Sequence, residues 1–279
     1  MQKLQTLIDM LTKGRKLHIS VLDVSGVLNT PLSEVEFKNV IHSKEFCNIA
    51  KSTHKGNNLC LRCKAIANTK AISGKEAFAG HCFWGIYEAA HPVVINGSVA
   101  AVVYVGNAVV DRDKTARILE GSCRRTGLDP ARLYRELENC EVLEDPYEVT
   151  AIAEIVGDYI KSTCAKAPQS DQNEHWIVSA MKRHAENSYT DEISLREMAV
   201  TYHKNEKYIG RIFKRETGVS FREYCNGVRM QRAAELLTST RDKVIDVAFE
   251  CGFNNVSYFN RLFQRTYGVS PSEYRKIRR

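Results

Sequence analysis

Four cysteines are the densest group of potentially reactive side chains in the first third of the sequence: Cys47, Cys60, Cys63 and Cys82. The run Cys60-Leu-Arg-Cys63 places two thiols on neighbouring positions of one helical turn, as a tetrahedral thiolate site requires. A second pair at this spacing would indicate zinc strongly, but Cys47 and Cys82 are solitary. The four residues therefore predict a zinc or iron site, a redox-active group, or buried thiols that pack as small apolar side chains.

The cysteine count also bears on the compartment in which the protein works. Nine cysteines are an odd number, and no export signal opens the chain, which favours a reducing cytoplasm over a disulfide framework. Residues 1–13 instead predict a short amphipathic helix. The most apolar stretch, residues 93–110, contains two glycines and several polar residues and is too polar to span a bilayer. We expect a cytoplasmic protein with no membrane partner.

A second group of chemically informative residues lies in the last third, where the sequence repeats itself at a spacing of 50 residues. Residues 208–224 recur at 258–274 with nine identities. Each copy predicts a short helix, a turn and a second helix that begins at an asparagine cap, Asn205 or Asn255. Gly252 supplies the positive φ that such a turn needs, whereas the first turn has no glycine. We therefore expect His203 or a neighbour to adopt that conformation.

The second helix of a helix-turn-helix unit fits the major groove of DNA, with its early outward residues at the base edges. The residues predicted to contact bases are Glu206, Lys207, Arg211, Val256, Ser257, Asn260 and Arg261. Arginine can bind guanine and asparagine can bind adenine with two hydrogen bonds each. The residues predicted to contact phosphates are Lys204, Lys214, Arg215, Arg222 and Arg265. Gly210 has no side chain to offer, so the first helix is expected to read less sequence than the second.

The charge distribution agrees with double-stranded DNA as the partner. Residues 173–279 contain 19 Lys+Arg against 13 Asp+Glu, whereas the first 172 residues contain 21 against 20. Nearly all of the net charge of +7 therefore lies in the repeated part. A basic solvated surface would give the same numbers, so charge alone does not decide the function.

The repeated part carries a recognisable family pattern. Gly252-Phe253, Ser257-Tyr-Phe-Asn-Arg-Leu-Phe263 and Gly268-Val-Ser-Pro-Ser-Glu-Tyr-Arg275 resemble the signature of AraC/XylS-type regulators. The resemblance covers roughly residues 174–276. It implies an all-α domain with two helix-turn-helix units that binds specific DNA sequences and regulates transcription, with RNA polymerase as a further partner.

The preceding part predicts a mixed α/β fold. Residues 18–24 predict a strand, and Asn96-Gly97 predicts a type I′ hairpin between two β-branched runs. A helix is expected over residues 60–73, after a turn at 55–58. A longer helix is expected after Asp145-Pro146, and its apolar stripe fits core packing, a dimer seam or a strut between the two halves. The predicted division is 1–165, a linker at 166–173, and 174–279.

Motifs in the first part resemble the PocR-type sensory domain over about residues 5–165. They are Glu45-Phe-Cys47, Gly56-Asn-Asn-Leu-Cys60, His81-Cys-Phe-Trp-Gly85, His91-Pro-Val-Val-Ile-Asn-Gly97 and Val105-Gly-Asn107. The resemblance implies a PAS-like α/β domain that binds a small organic effector. Homodimerisation through this part of the chain is a separate expectation. The residues predicted to line its pocket are His81, Cys82, Trp84, Tyr87 and Glu88. Trp84 and Tyr87 also fit ordinary core packing.

Enzymatic activity is not expected. Gly80-His-Cys-Phe-Trp84 lacks the Pro-Cys-His-Arg nucleophile motif of DNA-repair methyl acceptors, and no phosphate-binding glycine loop, kinase motif or Ser/His/Asp arrangement is found. The predicted fold class is α+β, a sensory domain followed by a tandem helix-turn-helix domain. The predicted function is a transcription regulator controlled by a small-molecule effector. The alternative is a cysteine-based metal or redox sensor that acts through the same DNA-binding domain.

Overall fold

The computed structural model describes residues 3–28, 30, 32–33, 35–164, 173–190 and 194–278. The chain divides into two compact units. The first consists of Met1–Asn173 with Val200–His203, and the second consists of Glu174–Ala199 with Lys204–Arg279. Residues 165–172, where most of the linker is predicted, lie outside the described residues. No helix in the described ranges is long and apolar enough to cross a membrane.

A five-stranded sheet forms the centre of the first unit. Its strands are β1 (His18–Asp23), β2 (Phe78–His81), β3 (Tyr87–Ile95), β4 (Ser98–Val109) and β5 (Glu141–Val142). The antiparallel order is β1-β4-β3-β2, and the short β5 pairs with β4 in parallel. Asn96 and Gly97 connect β3 to β4 with φ angles of 51° and 77°. The predicted hairpin is therefore confirmed, because a type I′ turn requires positive φ at both central residues.

The helices of the first unit surround this sheet. They are α1 (Leu4–Thr12), α2 (Glu45–Lys51), α3 (His54–Gly74), α4 (Arg112–Thr126), α5 (Pro130–Leu137) and α6 (Tyr147–Cys164), with a 3-10 helix at Phe37–Asn39. The predicted turn at residues 55–58 is wrong, because α3 already begins at His54. The Thr53 hydroxyl caps the helix by accepting a hydrogen bond from the Gly56 amide at 3.0 Å.

The two faces of the sheet bury different sets of side chains because successive residues of a strand point to opposite sides. On one face, Val21, Val103 and Val105 pack with Leu4 of α1 and Val156 of α6 in one apolar cluster. The α6 residues Val149, Ile152, Ala153, Val156 and Ile160 are all buried there. The apolar stripe of this helix therefore packs in the core of its own unit. The opposite face of the sheet meets α3.

All regular elements among the described residues of the second unit are helices. Its helices are α7 (Asn173–Asn187), α8 (Leu195–Thr201), α9 (Glu206–Thr217), α10 (Phe221–Ser239), α11 (Val244–Glu250), α12 (Val256–Tyr267) and α13 (Pro271–Arg278). The 50-residue repeat corresponds to α9 and α12, which are both 12 residues long and begin 50 residues apart. The sequence repeat is therefore a repeated structural unit, as predicted.

The turns before α9 and α12 each contain a residue with a positive φ, but two different residue types supply it. His203 has a φ of 49° and Gly252 has a φ of 78°. His203 therefore takes the conformation that glycine supplies in the second helix-turn-helix repeat. Asn205 and Asn255 then cap the two helices through hydrogen bonds from the amides of Tyr208 and Tyr258. The expectations for His203 and for both caps are confirmed.

Candidate functional site

A cavity of about 60 Å³ lies in the first unit between the sheet and helices α2 and α3. We call it the sheet cavity. Its polar and ionisable lining residues are His18, His42, Lys44, Cys47, Cys60, Cys63, Lys64, Cys82, Glu88, Tyr104 and Asn107. Its apolar wall is formed by Phe46, Ala50, Ala67, Trp84 and Ile86, with Gly106 beside them. Although many of these side chains are polar, the surface that they expose to the cavity is mostly apolar, which is the usual form of a small-molecule site.

Helix α3 contributes one continuous stripe to the sheet cavity. Cys60, Cys63, Lys64 and Ala67 follow the i, i+3, i+4, i+7 spacing of a single helical face, and all four line the cavity. Ala71 continues the stripe into the apolar cluster on the same face of the sheet. Lys64 was not among the predicted pocket residues. This periodicity, carried by two cysteines and two alanines, is the sequence signal that indicates its position.

Glu88 is the acidic side chain among the described lining residues of the sheet cavity. Its Oε2 atom lies 3.3 Å from the Nε2 atom of His42, which precedes α2. Burial raises the pKa of Glu88 to about 7, although the nearby Lys64 lowers it. Burial, and then the positive charge of Lys64, holds the pKa of His42 well below its usual range. The imidazole is therefore neutral and Glu88 is partly protonated near neutral pH.

Gly106 makes room for the Glu88 side chain on the neighbouring strand β4. A Cβ atom at position 106 would lie 3.0 Å from Oε2 of Glu88 and 3.1 Å from its Cβ and Cγ atoms. These distances are shorter than ordinary van der Waals contacts between carbon atoms. Because Gly106 has no side chain, the Glu88 carboxyl group has the space that it occupies at the cavity wall.

The structure places three of the five predicted pocket residues at the sheet cavity, namely Cys82, Trp84 and Glu88. His81 and Tyr87 do not line it. Tyr87 precedes Glu88 on β3, so it points to the opposite face and packs against the α1/α6 cluster. His81 pairs with Tyr87 across the strands, with ring centroids 5.1 Å apart. Placing both Tyr87 and Glu88 in one pocket is inconsistent with strand alternation.

All four predicted cysteines line the sheet cavity, but they do not form a metal centre. The described residues contain no group of three or more His, Cys, Asp or Glu that could hold a metal ion. Burial raises the pKa of Cys47 to about 12 and that of Cys63 to about 11, so these thiols are protonated at neutral pH. Thiolates react with oxidants, whereas protonated buried thiols do so slowly. Because no three of the described donor side chains are grouped as ligands, the residues present do not fit the predicted zinc or iron site.

In the second unit, the outward faces of α9 and α12 carry the predicted base-contacting side chains. Glu206, Lys207, Arg211, Ser257, Asn260 and Arg261 are exposed, and Val256 is half-buried. The inward faces bury Ile209, Ile212 and Phe213 in α9 and Phe259, Leu262 and Phe263 in α12. Each helix is therefore anchored by an apolar face and presents polar side chains outward, as a major-groove reader must.

Gly210 has a structural role within the first helix-turn-helix unit. A Cβ atom at this position would lie 2.8 Å from the Cδ2 atom of Leu195, so α9 approaches α8 closely here. The residue at the corresponding position of the second helix-turn-helix repeat, Asn260, is exposed. The lack of a base-contacting side chain at position 210 thus accompanies closer packing of the two helices.

A cleft of about 750 Å³ is lined by residues from both repeats, and we call it the basic cleft. Lys214, Arg222 and Arg229 line it, and its described lining contains no Asp or Glu. Lys214 and Arg222 were predicted to contact phosphates, and the structure brings them together. Arg229 was not predicted, and its Nε atom donates a hydrogen bond of 2.6 Å to the Tyr189 carbonyl. The cleft is a positively charged concave surface.

The other three predicted phosphate contacts lie outside the lining of the basic cleft. Lys204 is half-buried, with Nζ 5.7 Å from the centre of the Trp176 ring. Arg215 is exposed and forms an ion pair with Glu216 at 3.1 Å. Arg265 is exposed on α12.

Comparison with known proteins agrees with this two-part architecture. The family described as "Sensory domain found in PocR" matches residues 1–167, and the family described as "Helix-turn-helix domain" matches residues 198–277. Regulatory protein PocR of Salmonella typhimurium is 24% identical over 260 residues, which cover 86% of this chain and 85% of PocR. The regulator YisR of Bacillus subtilis is 29% identical over 119 residues, covering 43% of this chain and 40% of YisR.

Among solved structures, a probable AraC family transcriptional regulator from Rhodopseudomonas palustris is 27% identical. The match covers 37% of this chain and 97% of the solved chain, with a TM-score of 0.35.

The fold and the matches together define the class: an AraC-type transcription regulator with a separate sensory domain. The chain belongs to the family that carries the sensory domain found in PocR, since that match spans more than half of its residues. The names of these relatives describe them as regulatory proteins.

Proposed function

We propose that this chain is a one-component regulator whose affinity for a specific DNA sequence changes when a small organic molecule occupies the sheet cavity. The observation that carries the proposal is the cavity itself, which combines apolar walls with Glu88, His42 and Lys64. The effector must bind two states of the protein unequally, because otherwise no signal reaches the DNA-binding unit. The proposal also assigns a PAS-like fold to the first unit, in which the antiparallel sheet would enclose one ligand.

The DNA-binding part of the proposal assigns roles to the exposed residues of the second unit. Arg211 in α9 and Asn260 and Arg261 in α12 would contact base edges, together with Glu206, Lys207, Val256 and Ser257. Lys214 and Arg222 in the basic cleft would contact phosphates, together with Lys204, Arg215 and Arg265. The exposed side chains on both helices and the cations in the cleft support these roles.

Further partners follow from the same proposal. We place the regulator in the bacterial cytoplasm, where it would act on RNA polymerase directly or by excluding it from the DNA. A second copy of the chain is the partner proposed for the first unit, where Tyr147 and Ile155 of α6 are 63% and 50% exposed. The alternative, a metal or redox sensor based on the cysteines, has less support because the Cys47 and Cys63 thiols are protonated.

The proposal is tested with the full chain and a DNA fragment selected by it from a random-sequence pool. Fluorescence anisotropy measures DNA affinity while a panel of small organic compounds is titrated in. We expect at least one compound to change the affinity roughly fivefold or more, which corresponds to about 1 kcal/mol of coupling. The double variant Arg211→Ala/Arg261→Ala should lose the fragment while still binding the compound. A compound that binds the protein without any change in DNA affinity contradicts the proposal.

A further inference from the structure

We propose that the sheet cavity binds a short-chain monocarboxylate anion, whose carboxylate pairs with Lys64 and whose carbon chain packs on Trp84 and Ile86. This inference rests on the proposed function, and it names the chemical class of the effector. It is carried by three features of the cavity: a lysine that forms no hydrogen bond or ion pair among the described residues, a small volume, and a carboxyl group whose pKa is raised by burial.

The first feature is the unbalanced positive charge of the cavity wall. Lys64 is half-buried on the cavity stripe of α3, and among the described residues it forms no hydrogen bond or ion pair. Lys44 also lines the cavity, and the Lys51 ammonium donates a hydrogen bond of 2.9 Å to the carbonyl of His42, another lining residue. A buried ammonium is costly unless it is paired, so a ligand that brings a negative charge gains that pairing energy.

The second feature is the size and polarity of the space. A volume of about 60 Å³ holds only about four or five water-sized groups. Phe46, Trp84 and Ile86 supply apolar surface, which a purely polar anion such as phosphate would leave unused. A carboxylate with two or three carbon atoms fits both the volume and the apolar wall.

The third feature is Glu88, which would repel an anion if it were ionised. The other titratable groups that line the cavity with it are His18, His42, Lys44, Cys47, Cys60, Cys63, Lys64, Cys82 and Tyr104. Burial keeps His42 neutral and the thiols of Cys47, Cys63 and Cys82 protonated, and the Tyr104 hydroxyl donates a hydrogen bond of 2.6 Å to Asn68. When Glu88 is protonated, Lys44 and Lys64 are the basic groups that remain in the wall, and burial lowers the pKa of Lys64, which a bound carboxylate would raise again.

This arrangement makes binding depend on pH in a defined direction. The pKa of Glu88 is about 7, so Glu88 is mostly neutral below that value and mostly ionised above it. The ligand stays ionised throughout, since an unperturbed carboxyl has a pKa of about 4. Ionised Glu88 both repels the anion and competes for Lys64. Affinity should therefore fall as pH rises, by about tenfold between pH of about 6 and about 8.

The experiment is calorimetric titration of the full chain with propionate and, separately, with propane-1,2-diol, which has the same number of non-hydrogen atoms and no charge. We expect propionate to bind at least about tenfold more tightly than the diol. Lys64→Met should lose at least about tenfold of the propionate affinity. Lys55→Met, an exposed position of the same helix outside the cavity, should keep it. Glu88→Gln should bind propionate with an affinity that no longer changes across this pH range.

The results separate this inference from the proposed function. If the diol binds as tightly as propionate and changes DNA affinity, the effector function stands and the carboxylate assignment is overturned. Propionate binding that is unchanged in a folded Lys64→Met variant also overturns it. If that variant fails to fold, the wild-type comparison of propionate with the diol and its pH profile still decide the question. A flat wild-type profile overturns the assignment.

Discussion

The Glu88 carboxyl group lies 3.3 Å from the His42 imidazole, at the wall of a cavity that also contains Lys64. The two side chains come from separate elements, since Glu88 belongs to β3 and His42 precedes α2. Burial raises the pKa of Glu88 to about 7 and lowers that of His42, so the pair changes its charge near physiological pH. A charge that titrates in this range within a ligand cavity couples ligand binding to protonation.

Gly106→Ala tests whether the position of Glu88 depends on the glycine beside it. The added methyl group would lie 3.0–3.1 Å from the Glu88 side chain, so we expect a loss of about 1–3 kcal/mol in the free energy of unfolding. Urea denaturation of the full chain measures this loss. Gly80→Ala on β2 is the matched control, because nothing lies within 4 Å of a Cβ atom there. Equal losses in the two variants would show that Gly106 is not needed for space.

Gly252→Ala and Gly268→Ala test the turn of the second helix-turn-helix unit. Both glycines have a φ near 78°, so alanine costs about 1–2 kcal/mol of left-handed strain at either position. At position 252 the new Cβ atom would also lie 2.6 Å from the Thr190 carbonyl oxygen, whereas position 268 is open. We expect Gly252→Ala to lower the thermal midpoint of the helical signal clearly more. The prediction fails if both variants melt together.

Arg261→Ala tests base reading by α12. We expect a loss of about 1–3 kcal/mol in binding to the selected DNA, with little change on random DNA, if this arginine binds a base. Arg265→Ala, at an exposed position assigned to a phosphate, should weaken both DNAs equally. Anisotropy titrations at one fixed salt concentration make the comparison. Equal losses on both DNAs for Arg261→Ala would reduce its role to a phosphate contact.

Because His18 has a lowered pKa, we expect it to make the folded protein less stable in acid. Burial lowers the pKa of His18 to about 4, while the unfolded chain has a value of about 6.5. Below 6.5 the unfolded state binds the proton first, so this histidine's contribution falls by up to roughly 3 kcal/mol as pH drops to 4. Glu88 acts in the opposite direction, because its raised pKa costs stability as pH rises from about 4.5 to 7.

The effect of His18 therefore appears in the difference between wild type and His18→Gln. Thermal melting of both proteins from neutral to mildly acid pH measures that difference. His54→Gln, at the exposed start of α3, is the control and should retain the wild-type acid response. An identical acid response in His18→Gln and wild type would rule out the assigned role of His18.

The cysteine cluster predicts low metal content and slow thiol chemistry. Because the Cys47 and Cys63 thiols are protonated at neutral pH, we expect well under one zinc or iron per chain after anaerobic purification. A Cys60→Ser/Cys63→Ser variant should have the same metal content as wild type. Elemental analysis measures both. About one metal per chain, lost in the variant, would instead establish the metal-sensor alternative.

Local features were predictable because each is determined by a few adjacent residues. Asn96-Gly97 predicted the hairpin, the asparagine caps predicted the starts of α9 and α12, and the missing glycine predicted the unusual φ of His203. The 50-residue repeat predicted the architecture of the second unit for the same reason, since each copy is a local motif.

The sheet cavity was only partly predictable because its wall is assembled from distant segments. Cys82, Trp84 and Glu88 were assigned to it, but Tyr87 belongs to the opposite sheet face. His42 was missed because nothing near it in sequence shows that its segment approaches β3. Lys64 was missed although the periodicity of α3 places it on one face with Cys60 and Cys63, because that periodicity does not show which element the face packs against. The start of α3 was also predicted wrongly, because glycine is typical of turns. At position 56 the glycine instead allows α3 to pack closely against the Ala50 carbonyl of α2.

The central claim, that two recognition helices read one DNA site, is tested most directly by footprinting the full chain on its selected DNA. We expect two protected major-groove segments on one face of the duplex, with centres about 10 base pairs apart. Arg211→Ala should weaken one segment and Arg261→Ala the other. A single protected segment that is affected only by Arg261→Ala would contradict the claim, because α9 would then not read DNA.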